Sequence, residues 1–166
     1  MGTIEYLDLV DDDDNVIDVK PRSEIEAAGL GNFRVINAFL VNSDNKLWIP
    51  RRTAHKRLFP LCLDVSVGGH VESGETYDQA FRRETMEEIN LDVDACDVKE
   101  LGYLQPKMHH LSAFMKVYEI RSDDAPDYNR DDFVEAFWFS PAELKSRIAQ
   151  GEKAKGDLLR LVELFY

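Results

Sequence analysis

The sequence predicts an α+β fold, because strand-like segments are interleaved with a few helices and no regular strand-helix-strand repetition is present. A chain of 166 residues is long enough for one domain with its own core and too short for two of ordinary size. Apolar residues at 44% and charged residues at 31% match globular averages, so neither disorder nor a fibrous repeat is needed to explain the composition. A single domain over residues 1–166 is therefore expected, with 1–31 as an extension and 32–166 as the core.

IEYLDLV reads as a strand, Asp11 to Asn15 as an acidic turn and VIDVK as the returning strand, which makes an N-terminal β-hairpin. Ser23 to Ala28 suits a short helix capped by Ser23 and closed by Gly29. FRVINAFLVN, the turn Ser43-Asp44-Asn45 and KLWIPRR suggest a second hairpin, with Pro50 ending the pairing of its second strand. A basic loop with Arg51, Arg52, Lys56 and Arg57 follows, and LDVSVGGHV alternates briefly before a strongly helical segment. Later strands are expected at KELGYL, LSAFMKVYEI and EAFWF. Ser140 as N-cap, Pro141 at the first helical position and Glu143 three residues after the cap start a helix running to about Ala149. DLLRLVELFY has the apolar spacing of a final helix on the core.

The formal net charge of −12 repels polyanions, so no nucleic-acid polymer is expected as a partner. No apolar run approaches membrane-span length and the N-terminus lacks a signal-peptide pattern, which gives a cytoplasmic expectation and no membrane partner. Cys62 and Cys96 have no metal-ligand spacing and read as buried free thiols.

The chemistry is concentrated in one helix. Thr76 followed by Gln79 has capping-box form, so the helix starts at Tyr77, and Asn90 ends it in the left-handed conformation. The 3.6-residue period places Tyr77, Ala80, Phe81, Glu84, Glu87 and Glu88 on one stripe, so three glutamates continue an apolar face. Two like charges about 4 Å apart repel by roughly 4 kcal/mol at an effective dielectric near 20, which calls for a cation between them. Mg²⁺ suits carboxylate oxygens and bridges to phosphates, with Mn²⁺ as the alternative ion. An isolated glutamate trio more often decorates a solvated helix; the residues upstream argue otherwise.

From Gly69 to Leu91 the chain reads GHVESGETYDQAFRRETMEEINL, which closely resembles the box motif of the Nudix hydrolase family. Gly69, Glu75, Arg83, Glu84, Glu87, Glu88 and Leu91 stand in register, while Thr85 replaces an aliphatic residue and Asn90 replaces a glycine. The resemblance implies an α/β/α sandwich on a mixed β-sheet with the N-terminal hairpin added to it. It also implies metal-dependent hydrolysis of a phosphoanhydride in a small-molecule substrate, a nucleoside diphosphate linked to another moiety or a related organic diphosphate. It assigns Glu84, Glu87 and Glu88 as metal ligands, with Glu84 also a candidate base, and a backbone carbonyl near Gly68 as a further ligand. Arg83 and Glu75 are expected to pair and fix the loop against the helix.

LDVSVGGHVESGETY and RRTAHKRLFP are similar to the branch containing isopentenyl-diphosphate isomerase. That enzyme's cysteine is replaced here by Gly68 and a histidine by Ile36, so isomerase chemistry is disfavoured. A non-catalytic diphosphate sensor is the other alternative, opposed by the intact charged positions of the box. His70 matches an isomerase metal ligand but lacks its partner histidine, and is read as a loop residue with a structural hydrogen bond. His55, His109 and His110 carry no catalytic spacing. Arg51, Arg52 and Lys56 are either phosphate contacts or a solubilising loop, with Arg51 the first to test. Glu135 is a weak candidate for a further acidic group, and Phe137, Trp138 and Phe139 are read as core packing. The N-terminal hairpin offers strands for pairing across a homodimer.

Overall fold

Two layers of helix enclose a mixed sheet, and the alternation of one strand shows why. The structure is a computed structural model that describes residues 3–166. Strand β3 (Arg34–Val41) sends Ile36, Ala38 and Leu40 to one face and Phe39 and Val41 to the other, all of them almost wholly buried. On the first face Ile36, Ala38 and Leu40 meet Ala80, Phe81 and Ile89 of helix α2 (Tyr77–Ile89). On the second, Phe39 and Val41 join Leu144 of α4 (Pro141–Ala149) and Leu158, Leu161 and Val162 of α5 (Leu158–Phe165). The architecture is the expected α/β/α sandwich.

The sheet order is β6 (Asp97–Leu104), β7 (Phe114–Arg121), β3, β4 (Leu47–Arg52), β8 (Phe133–Phe139), with β5 (Val67–His70) also on β3. β3 and β7 are parallel and the other pairings antiparallel. One edge of β3 is shared: its residues 35–38 pair with β5, and β4 touches it only at Val41↔Leu47. The predicted second hairpin therefore opens immediately after its turn, and β4 lies along β8 instead. Where the strands part, the Ser66 hydroxyl donates to the Trp48 carbonyl at 2.6 Å and accepts from the Leu40 amide at 2.8 Å. A fully buried serine thus satisfies backbone groups that the divergence exposes.

Three local expectations are corrected. Pro50 does not end pairing: β4 continues opposite β8 through Arg51↔Glu135 and Arg52↔Phe133. The Pro50 carbonyl accepts from the Asp64 amide at 2.9 Å, so the edge lacking an N–H faces the 62–64 segment and no bond to β8 is lost. Helix α1 (Arg22–Ala27) is capped by Pro21 without a side-chain bond, two residues before Ser23, although Gly29 does close it at φ +64°. A short helix α3 (Pro106–His109), unanticipated in sequence, precedes β7.

The N-terminal extension is a hairpin of β1 (Tyr6–Val10) and β2 (Val16–Pro21), as predicted. Leu7, Leu9 and Ile25 form its own small core against Leu30 and Phe33. Its acidic turn is more than a solvated loop. Asp14, at φ 63°, accepts from Arg34 at 2.6 Å and from the hydroxyls of Tyr77 and Tyr103 at 2.8 Å each, which pins the extension to the core beside α2.

Candidate functional site

The site is assembled where β5 runs through a tight loop into α2. Thr76 caps the helix reciprocally with Gln79: the Gln79 amide donates to Thr76 Oγ1 at 3.1 Å and the Thr76 amide to Gln79 Oε1 at 2.9 Å. Asn90 ends it at φ 50°. Thr85, the polar departure from the motif, is fully buried and donates to the Phe81 carbonyl at 2.7 Å, so its hydroxyl costs no unsatisfied bond.

Arg83 fastens the loop to the helix. Its guanidinium meets Glu75 through two bonds of 2.9 and 2.8 Å, donates to the His70 carbonyl at 3.0 Å, and reaches Glu84 Oε1 at 2.8 Å. The fork geometry matches a carboxylate edge, and these bonds hold the Glu75 carboxyl below its ordinary value. Glycine at position 69 is dictated by proximity: a Cβ there would lie 2.2 Å from Glu84 Cδ. The bare backbone of β5 lets Glu84 lie flat against it.

Glu84 and Glu88 are both buried, at 9% exposure each, whereas the Glu87 side chain is 57% exposed. The predicted stripe is therefore corrected at one place: Glu87 turns outward, within 3.3 Å of Arg83, and Thr85 and Ile89 take the buried positions. Burial pushes the Glu84 carboxyl up to about 7 against the pull of Arg83. Burial pushes Glu88 well above the ordinary range, and the nearby charges of Glu84, Asp64 and Asp132 push the same way. The amide of Gly68 donates to Glu88 Oε1 at 2.9 Å, and Glu88 has no ion-pair partner among the described residues. Among the described residues no three His, Cys, Asp or Glu side chains are gathered tightly enough to form a metal cage on their own.

These carboxylates face a cavity of about 880 Å³. Its wall also includes Arg52, Lys56, Lys155, Asp64 and Asp132, with Phe33 and Phe59 on the apolar side. Arg52 bonds Asp64 at 2.8 Å and the Leu58 and Phe59 carbonyls, and Lys56 bonds Asp132 at 2.6 Å. Arg51 is not on this wall: it bonds Glu135 and Glu152, each at 2.6 Å, on the edge where β4 meets β8. Its alternation along β4 sends it away from Arg52, so the two arginines adjacent in sequence do unrelated work. The same pairing accounts for Glu135.

His70 lies on β5, not in a loop, with its ring against Phe33 at 5.2 Å. Burial foremost, then Arg22, Lys155 and Arg83, hold its pKa down at about 3, so the ring is neutral. Its structural hydrogen bond is made by the backbone carbonyl, to Arg83. Cys62 is buried and Cys96 half-buried, and both are free. Neither lies on the cavity wall, so no thiol replaces Gly68 there. Phe137 stacks on Phe139, and Trp138 packs in the core on the α2 side. Sequence reasoning missed Asp64, Asp132 and Lys155: the first and last depend on long-range pairing of the 62–64 segment with β4 and residues 153–155, and Asp132 on a turn whose Asn129 amide donates to the Glu88 carbonyl and whose Asp132 carbonyl accepts from the Thr53 amide.

Comparison with known proteins gives a consistent pattern. The NUDIX domain profile matches residues 31–162. An uncharacterized Nudix hydrolase of a Nostoc species is 60% identical over 166 residues, covering 100% of this chain and 98% of that one. A crystal structure of a protein from Deinococcus radiodurans superimposes with a TM-score of 0.94 at 49% identity, covering 98% of this chain and 99% of that one. An isopentenyl-diphosphate Δ-isomerase of Brevibacterium linens is 26% identical over 149 residues, covering 87% of this chain and 82% of that one.

Proposed function

This chain belongs to the Nudix family and is a Nudix hydrolase; from that premise we propose that it cleaves a phosphoanhydride bond of a small organic diphosphate with the help of Mg²⁺. The substrate class is a nucleoside diphosphate linked to a second moiety, or a related organic diphosphate. One observation carries the reading: Glu88 is a buried carboxyl with no ion-pair partner among the described residues, set beside Glu84, Asp64 and Asp132. Such a concentration of negative charge out of water is costly unless a cation joins it, and hard carboxylate oxygens fit Mg²⁺ or Mn²⁺.

Glu84, Glu87 and Glu88 would hold the ion, with the Gly68 carbonyl as the backbone donor at the same place. When bound, the ion supplies positive charge to the phosphate oxygens and makes bound water a better nucleophile. The remaining work belongs to the chain. Arg83 fixes Glu84 Oε1 and leaves Oε2 without a partner among the described residues, so Glu84 is oriented to take the proton of the attacking water. Arg83 and Glu75 act by position, and Arg52 and Lys56 offer charge for the phosphates once substrate competes with Asp64 and Asp132 for them.

The test is a panel of nucleoside triphosphates, nucleotide sugars, dinucleotides and prenyl diphosphates, incubated with Mg²⁺ or with EDTA and read by product mass. Mg²⁺-dependent release of phosphate or a nucleoside monophosphate is expected. Binding without product would favour the sensor, and a rearranged prenyl diphosphate without phosphate release would favour the isomerase.

A further inference from the structure

We propose that Lys155 is a phosphate-binding residue of this cavity, contacting the diphosphate from the wall opposite in sequence to the box helix. The inference rests on the diphosphate reading above and names a contact which the motif does not contain. The other cations on the wall are committed. Arg22 bonds Glu5 and Glu26 at 2.9 Å each, Arg52 bonds Asp64 at 2.8 Å, Lys56 bonds Asp132 at 2.6 Å, and Arg57 pairs with Glu26. Lys155 has only a long ion pair, 3.8 Å to Asp64 Oδ1, and its ammonium makes no hydrogen bond among the described residues.

Asp64 does not need that lysine. Its Oδ2 already takes Arg52, and its Oδ1 accepts the Val65 amide at 2.8 Å. Lys155 is therefore a loosely paired positive charge with three free donors, two-thirds buried, on the wall of the cavity that the diphosphate reading fills. Its backbone is held firmly: the Lys155 amide donates to the Leu63 carbonyl and the Leu63 amide to the Lys153 carbonyl, each at 2.8 Å. That parallel bridge brings the residue beside Asp64, and both line the same cavity as Glu88. A phosphate bound in this cavity would share it with Lys155, and an ammonium with unused donors is a strong partner for non-bridging phosphate oxygens.

Methylenediphosphonate, a diphosphate that cannot be hydrolysed at its bridge, is titrated calorimetrically into the full chain with Mg²⁺. Lys155→Met is expected to weaken binding about tenfold without lowering the melting temperature, and Lys155→Arg to restore most of it. Lys155→Gln gives the same comparison should the Met variant fold poorly. A purely structural lysine would shift the melting temperature and leave affinity alone, which would overturn the inference. Wild-type binding that is independent of Lys155 would refute this contact and spare the diphosphate reading. Absence of Mg²⁺-dependent binding by the wild type would sink both.

Discussion

Replacing Glu84 by Gln should change how the metal-free protein responds to pH, and the structure sets the size of the change. Glu84 is 9% exposed and titrates at about 7 in the fold against an ordinary 4.5. Between those values the folded state keeps a proton that the unfolded chain has released, so stability falls as pH rises through the interval. The interval from 4.5 to about 7, at about 1.4 kcal/mol per pH unit, amounts to about 3 kcal/mol lost by pH 8. The Gln variant carries no such charge, and its amide oxygen still accepts from Arg83. In EDTA the variant should match the wild type near pH 5 and melt about 6–12 °C higher near pH 8. Adding Mg²⁺ at pH 8 should close the gap by stabilising the wild type alone, since ligand binding to the folded state stabilises it. The measurement is thermal unfolding by circular dichroism at both pH values, with and without Mg²⁺. Parallel pH profiles for the two proteins, or equal Mg²⁺ stabilisation of both, would refute the argument.

Glu88→Gln should keep the fold, because the amide oxygen can accept from Gly68, yet lower turnover by about a hundredfold or more; near-normal turnover at saturating Mg²⁺ would reject its role. Gly69→Ala drives a methyl to 2.2 Å from Glu84 Cδ, so activity should fall at least tenfold and stability by about 1–3 kcal/mol, checked by kinetics and urea unfolding. Arg51→Ala should leave the Michaelis constant within about twofold while costing about 1 kcal/mol of stability, since its partners, Glu135 on β8 and Glu152 after α4, are both off the cavity wall; a large rise in the Michaelis constant would return it to the site.

The sequence by itself determined helix α2 and its register. The capping box at Thr76, the left-handed Asn90 and the order of Arg83, Glu84, Glu87 and Glu88 are statements about neighbours within one or two turns, which local hydrogen bonding and the 3.6-residue period decide. The β-branched and aromatic run of β3 likewise announced a strand, although not that both of its faces are buried. Even here the period was too coarse at one step, because it placed Glu87 on the inner stripe, whereas the buried face lies further round the helix, on Phe81, Thr85, Glu88 and Ile89.

Only the tertiary structure decided which charges keep company. Arg51 finds Glu135 and Glu152 across 84 and 101 residues, and Asp14 finds Arg34, Tyr77 and Tyr103, through strand pairing and hairpin docking that no local pattern encodes. The parting of β3 and β4 opens a path for the 62–64 segment, and with it come Asp64, beside Glu88, and Lys155. Whether a carboxylate is a solvated ornament or a site for a cation depends on its hydration and its partners. Both are properties of surroundings drawn from the whole chain, so the motif marked the carboxylates and the fold alone left Glu88 buried without an ion-pair partner among the described residues.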